Sequence, residues 1–277
     1  MHKANSGLKL RSKFVENSND VQLSGRIFSD IFSIDKLLLS HIDVRIKLIQ
    51  SKDNFVLISP DQENYKIHLK SAILRVRKVT PTAAVQLSHD KLLLHTPARY
   101  HYLQSEVNFL QLPRGHRTFT RDNICSNNLP RTILLGVIDD RGLNGHYQFN
   151  PYEFLLYSLN EVKISVDGIG LPGSSVELDH PDSLSGYNTL FASSIERLFA
   201  NNSVPFGRKG LKGGYGLFLF DVAADACQEH LSPQSRGTVK VDLSFSNALD
   251  SNLNLMVLST YDSFLQVNHN RQCFIET

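Results

Sequence analysis

The sequence predicts an all-β fold with a few helical insertions. Three observations carry this. Apolar and charged residues alternate with period two in several segments; only two segments show helical periodicity; and strands follow one another without the regular helix between them that a parallel sheet requires. The alternation is cleanest in Ile42-Asp43-Val44-Arg45-Ile46-Lys47-Leu48, where every even position is apolar and every odd one charged. Successive strand residues face opposite sides of a sheet, so such a segment has one dry and one wet face.

Taken in order, short strands are expected at 21–28, 42–48 and 54–58, followed by a longer one at 65–79. The apolar parity of that longer segment changes near Lys70-Ser71, as at a bulge or bend. Thr80-Pro81 reads as cap and first-turn proline of a helix running to about Leu93, with Ala84, Leu87 and Lys91 on one side. Strands follow at 99–112 and 131–138, with Leu112-Pro113-Arg114-Gly115 as a turn after the first. Val162-Lys163-Ile164-Ser165-Val166 and Ile169-Gly170-Leu171 flank Asp167-Gly168, a hairpin signal because both turn residues tolerate positive φ. A second helix is expected from about 182 to 199, with Tyr187, Leu190, Phe191, Ile195 and Leu198 as one apolar stripe. The last strands are 215–221, 238–245, 253–261 and 264–267. The loops at 113–128, 139–150 and 200–214 are the longest irregular stretches.

Composition narrows the function. The 277 residues carry 29 Lys+Arg and 27 Asp+Glu, a net charge of +2, which is no nucleic-acid-sized excess of positive charge. No apolar run reaches the roughly 18 residues of a membrane helix, and the polar N-terminus lacks a secretory apolar core. Three widely spaced cysteines, Cys125, Cys227 and Cys273, give no disulfide framework and no local metal motif. The expectation is a soluble, intracellular, non-secreted protein that neither binds a membrane nor recognises specific nucleic acid.

Chemistry-bearing patterns are sparse. The stretch Gly207-Arg208-Lys209-Gly210-Leu211-Lys212-Gly213-Gly214 holds three cations, but it precedes a strand, whereas a phosphate loop opens a helix. The eleven histidines form no HxH, HExxH or helical i,i+4 pair, so no metal set is expected. No GxSxG is present, and no cysteine sits in an evident activating context. The reading is that of a non-enzyme without catalytic residues, cofactor or metal.

The order of short motifs says more. Val21–Phe32, Leu37-Leu38-Leu39, Ile42–Leu48 and Ser51-Lys52-Asp53 are followed by Ala72–Val79, Leu129-Pro130-Arg131 and Asn150-Pro151-Tyr152-Glu153-Phe154. Val166-Asp167-Gly168, Gly214–Val222, Phe245–Leu249 and Tyr261–Leu265 complete the series. From about Asn5 to Arg271 this collinear series resembles the hexon-like major capsid proteins of Polinton (Maverick) elements and adintoviruses.

That resemblance implies a double jelly roll: two eight-stranded sandwiches in one polypeptide, three chains to a capsomer, and many capsomers tiling an icosahedral shell. The partners it implies are further copies of the chain, in homotrimeric capsomers and lateral contacts, together with a minor capsid protein; the location it implies is the virion. Residues 1–60 would then be the last three or so strands of a first jelly roll, with the strands before them missing. Residues 61–277 would be a complete second jelly roll, with helices inserted near 80–93 and 182–199. Self-assembly surfaces are expected at Tyr187, Leu190, Phe191, Ile195 and Leu198, and at Val44, Ile46 and Leu48, whose apolar face a truncated sandwich leaves uncovered. The principal alternative is a jelly-roll module binding a carbohydrate or other ligand without catalysis. That reading is weakened by the absence of tryptophan. A cupin-type metalloenzyme is the third, and it lacks clustered His and Glu.

Overall fold

The computed structural model describes residues 6–34, 36–59, 65–125, 128–178, 208–222 and 235–276, together with Asn188. Nine strands are formed: β1 (Ala98–Leu112), β2 (Thr118–Arg121), β3 (Thr132–Asp139), β4 (Leu159–Val166), β5 (Ile169–Glu177), β6 (Leu217–Asp221), β7 (Val239–Phe245), β8 (Leu253–Val267) and β9 (Cys273–Glu276). The helices are α1 (Ser6–Val15), α2 (Asp53–Val56), α3 (Ala83–Leu93), α4 (Asp140–Asn144) and α5 (Arg208–Lys212).

All strand pairing is antiparallel, in two sheets. One has the order β1-β8-β3-β6, with β9 added beside the end of β8; the other has the order β2-β7-β4-β5. Consecutive strands therefore alternate between the sheets for most of the chain, and β8 returns to lie beside β1. That is the eight-stranded jelly roll with its two Greek keys.

Period-two patterning produces this packing directly. In β7, Val239, Val241, Leu243 and Phe245 are buried while the residues between them are half-buried. They meet Ile133, Leu135, Val137, Phe218, Leu253, Leu255 and Val257 from the facing sheet. Each fully buried side chain of this kind contributes roughly 1.5–3 kcal/mol relative to exposure. At the hairpin, Asp167 (φ 49°) and Gly168 (φ 80°) occupy the left-handed region, as the Asp-Gly signal requires.

β1 and β8 are both fifteen residues long and pair from Ala98↔Val267 to Leu112↔Leu253. β2, the neighbouring strand in the other sheet's order, has only four residues. The same face of the β1–β8 ribbon that covers the main core at Leu112, Leu253 and Leu255 carries Tyr100, Tyr102, Leu265 and Val267 further along. There its cover comes from Ile31, Ile34, Leu38, Leu39 and Ile42 of the N-terminal region.

The structure corrects several expectations. No strand forms among the described residues before Ala98. Residues 21–28 and 42–48 have no ladder partner, residues 53–56 are α2 rather than a strand, and Asp30–Ser33 is a 3-10 turn. Residues 65–79 likewise form no ladder, and every residue from 65 to 80 is exposed. Alternation states which faces a strand would present; it does not supply the neighbour whose N–H and C=O groups make it a strand. The eighth strand of the sandwich is instead β2, too short for its pattern to stand out. Residues 264–267 continue β8 rather than forming a separate strand, and β9 has no counterpart in the sequence reading.

The helix expected up to Leu93 is present as α3, although Leu87 on it is exposed and Leu93 is its buried residue. The polar loop after Asp139 and the glycine-rich stretch both contain one-turn helices, α4 and α5. The helix expected at 182–199 lies outside the described residues.

Candidate assembly surface

Two anchors tie the N-terminal region to the sandwich. The first lies on the extended end of the β1–β8 ribbon. The Asp30 carboxylate accepts the Ser105 N–H at 2.9 Å and the Ser105 hydroxyl at 3.1 Å, while the Leu39 N–H donates to the Tyr100 hydroxyl oxygen at 3.1 Å. Burial pushes the Tyr100 phenol pKa up, and the Leu39 N–H offsets part of that rise.

The second anchor is the turn after β3. Asn54 Nδ2 donates to the Gly145 carbonyl at 2.8 Å, the Ser59 N–H donates to the Tyr147 carbonyl at 2.9 Å, and the Tyr147 hydroxyl donates to the Tyr65 carbonyl at 2.9 Å. Phe55 meets Tyr152, and Tyr65 meets Tyr147, edge to face at centroid distances of 6.0 and 6.4 Å. Gly145 sits at φ +92°, and a Cβ there would come within 2.7 Å of the Asn54 side-chain oxygen. Only glycine serves both the backbone and the contact.

The receiving turn is braced from within. Asp139 caps α4 by accepting the Arg141 N–H, and its carboxylate pairs with the Arg141 guanidinium at 2.8 and 2.9 Å. That guanidinium stacks 4.0 Å from the Phe149 centroid. Burial alone would raise the Asp139 pKa; its hydrogen bonds and charge pairing with Arg141 outweigh burial and hold it below the usual carboxylate range.

Between the anchors, Val44, Ile46 and Leu48 are 52%, 38% and 73% exposed. The stripe at Tyr187, Leu190, Phe191, Ile195 and Leu198 lies outside the described residues. The sequence reading missed the anchoring residues Asp30, Asn54, Tyr100, Tyr102 and Tyr147. The one signal for them was the apolar spacing of Ile31, Ile34, Leu38 and Ile42, interrupted by polar residues.

The sandwich offers a second open surface. β1 is an edge strand, pairing with β8 and no other described strand. On its outer side Val107 and Phe109 are 50% and 44% exposed, opposite Leu258 and Met256 in the register. Further along β1, a buried ionic group crosses the sheet. Asp262 of β8 accepts Arg131 Nη1 at 3.0 Å and lies 2.8 Å from His101 Nε2. Arg131 and Asp262 are buried, whereas His101 is partly exposed.

Among the described residues, no three His, Cys, Asp or Glu side chains converge as a metal set. A hollow of about 260 Å³ is lined by residues that include Leu93, His95, Pro97, Gln266, His269 and Phe274, with no acidic residue among them. Cys125 is buried 3.4 Å from the Ser259 hydroxyl, and burial pushes its thiol pKa up, the opposite of an activated nucleophile. No helix among the described residues is long and apolar enough to cross a membrane.

The class defined by the strand order is therefore the eight-stranded antiparallel jelly-roll sandwich, here with an N-terminal region docked along it. Similar solved structures are capsid-related. The chain matches one from the Sputnik virophage at 16% identity (65% of this chain, 38% of that one, TM-score 0.39). It matches the mavirus major capsid protein at 12% (65% and 41%, TM-score 0.34) and the PBCV-1 virus capsid at 9% (65% and 52%, TM-score 0.40). A curated relative, an uncharacterised protein of Caenorhabditis elegans, is 21% identical over 271 residues. That alignment takes in 92% of this chain, which spans 63% of the relative's length. No family model matches.

Proposed function

We propose that this chain is a structural, non-catalytic capsid subunit of the Polinton/adintovirus type, a component of the virion that works by associating with copies of itself. The carrying observation is the strand order β1-β8-β3-β6 facing β2-β7-β4-β5, combined with alternating segments that remain uncovered. Support also comes from the collinear motif series and from the Asn54–Tyr147 and Asp30–Ser105 anchors, which join a second body of chain to the sandwich at fixed points.

In this reading residues 1–60 belong to a neighbouring jelly roll, and residues 61–277 contain the second. The alternation at 42–48 becomes a ladder when the strands beside it are present. The work of the protein is burial: a trimer contact within the capsomer and weaker lateral contacts, each of the order of 1,200–2,000 Å² for a stable interface. Trimeric association and minor-capsid-protein contacts are parts of this proposal.

Sedimentation velocity over about 1–100 µM, with electron microscopy of the concentrated sample, tests it. Concentration-dependent trimers and larger assemblies are expected. A well-folded chain that stays monomeric throughout overturns the reading.

A further inference from the structure

The net charge of +2 is unevenly distributed. The described residues before Ala98 hold 14 Lys+Arg against 6 Asp+Glu, a net +8, while those from Ala98 onward hold 13 of each. The excess is densest at 65–79, which carries Lys66, Lys70, Arg75, Arg77 and Lys78. No acidic residue occurs from Tyr65 to His89. Every residue of 65–79 is exposed, outside every ladder and free of turns and bends.

The start of this segment is tied down. The Tyr147 hydroxyl donates to the Tyr65 carbonyl, the Ile67 N–H donates to Asp53 Oδ1 at 3.1 Å, and Lys70 pairs with Asp20. The far end leads into α3 at Ala83. Between these points Arg75, Arg77 and Lys78 enter no ion pair among the described residues. Like charges this close in sequence repel one another, and an external anion relieves that repulsion.

The anion that fits is a chain of phosphates. An unbent backbone advances about 3.3 Å per residue, so Arg75 and Arg77 stand roughly 6.6 Å apart, close to two ~3.4 Å steps of a nucleic-acid strand. Their guanidinium forks match phosphate oxygens, which also take main-chain N–H groups that lie outside a ladder. Odd-numbered Arg75 and Arg77 and even-numbered Lys66, Lys70 and Lys78 fall on opposite sides of an unbent chain. That arrangement suits a segment lying in a groove between two rows of phosphates. A lipid surface fits less well. It covers apolar side chains gathered on one face, whereas the exposed Ile67 and Leu69 are odd-numbered and the exposed Leu74 and Val76 even-numbered.

We propose that residues 66–78 bind the phosphate backbone of double-stranded nucleic acid without reading its sequence, with Arg75, Arg77 and Lys78 as the main contacts. Phosphate contacts supply affinity and position and carry no base information. This goes beyond the self-association reading and does not depend on it. The test is fluorescence anisotropy of the full chain with two labelled 30-base-pair duplexes of unrelated sequence, across about 50–200 mM salt. Two variants are compared with wild type: Arg75→Gln/Arg77→Gln/Lys78→Gln, and Arg114→Gln/Arg121→Gln/Lys163→Gln, which removes the same charge from exposed positions of the sandwich.

All six positions are solvent-exposed, so circular dichroism and the melting temperature should stay close to wild type. The wild type should bind both duplexes alike, with dissociation constants of roughly 1–100 µM near physiological salt. The segment variant should bind at least tenfold more weakly, and its plot of log affinity against log salt should be shallower by about 2–3. The sandwich variant should lose less than threefold. A wild type that binds neither duplex overturns the proposal and leaves the subunit reading standing. A segment variant that binds as wild type also overturns it, as does a sandwich variant that loses as much. If the wild type ignores the duplexes but sediments with vesicles of 30% phosphatidylserine, and the segment variant does not, the segment is a lipid contact and the proposal fails.

Discussion

Asp262→Ala probes the ionic group that ties β8, the start of β3 and β1 together. Asp262 accepts Arg131 Nη1 at 3.0 Å to one carboxylate oxygen and 3.4 Å to the other, and His101 Nε2 lies 2.8 Å from the first. Removing the carboxylate takes a close charge partner from a buried guanidinium, which costs about 3–5 kcal/mol. In a sandwich of this size, 1 kcal/mol corresponds to about 2–4 °C of melting temperature, so the loss should be of the order of 10 °C. His101→Ala should cost less than about 1 kcal/mol, because that side chain is more than a third exposed and its pairing is screened.

Replacing both buried partners, Arg131→Met with Asp262→Leu, should recover most of the loss, since neither member of the pair is then left as a buried charge without the other. Equilibrium urea unfolding of the four proteins, with a thermal scan of each, measures this. An Asp262→Ala cost under about 1 kcal/mol refutes the reasoning, as does a double variant no more stable than Asp262→Ala alone.

Three further outcomes are expected. Asp139 has a folded pKa below its unfolded value, so it contributes stability above about pH 4 that is lost as pH falls through the folded pKa; Arg141→Ala should therefore move the acid-unfolding midpoint to higher pH, read by tyrosine fluorescence. Gly136→Ala should destabilise by roughly 1–3 kcal/mol, because the new methyl would stand 2.6 Å from Phe154 Cδ1 and 2.8 Å from Leu217 Cδ2; Phe154→Leu in the same chain should relieve part of that in urea titrations. Mass-spectrometric thiol labelling at pH 8 should modify the exposed Cys273 rapidly and spare Cys125 until denaturant is added, and equal labelling of the two would contradict the burial of Cys125.

Alternation alone placed most of the sandwich. β7 was readable because buried and half-buried residues alternate along its whole length, β4 because the buried Val162 and Ile164 alternate with Glu161 and Lys163, and the β4–β5 hairpin because Asp167-Gly168 fills two left-handed positions. β3 was legible as an apolar run, since it lies between two strands and most of its residues are buried. β2 was not legible: four residues, Thr-Phe-Thr-Arg, hold too little pattern to distinguish a strand from a turn. Residues 42–48 and 65–79 erred in the other direction, with strong alternation and no ladder. The anchors were invisible for a different reason. Asp30 and Ser105, or Asn54 and Gly145, stand 75 and 91 residues apart, and no local pattern marks a contact made by chain topology.

What the amino-acid order determined by itself is which faces are dry, where the chain turns, and hence that the protein is a β-sandwich; these are short-range properties, set by side-chain polarity and backbone sterics within a few residues. Which alternating segments become strands was decided only in three dimensions, because a strand exists through the main-chain bonds of its neighbour. The same holds for the open edge of β1 and for the region docked across its far end.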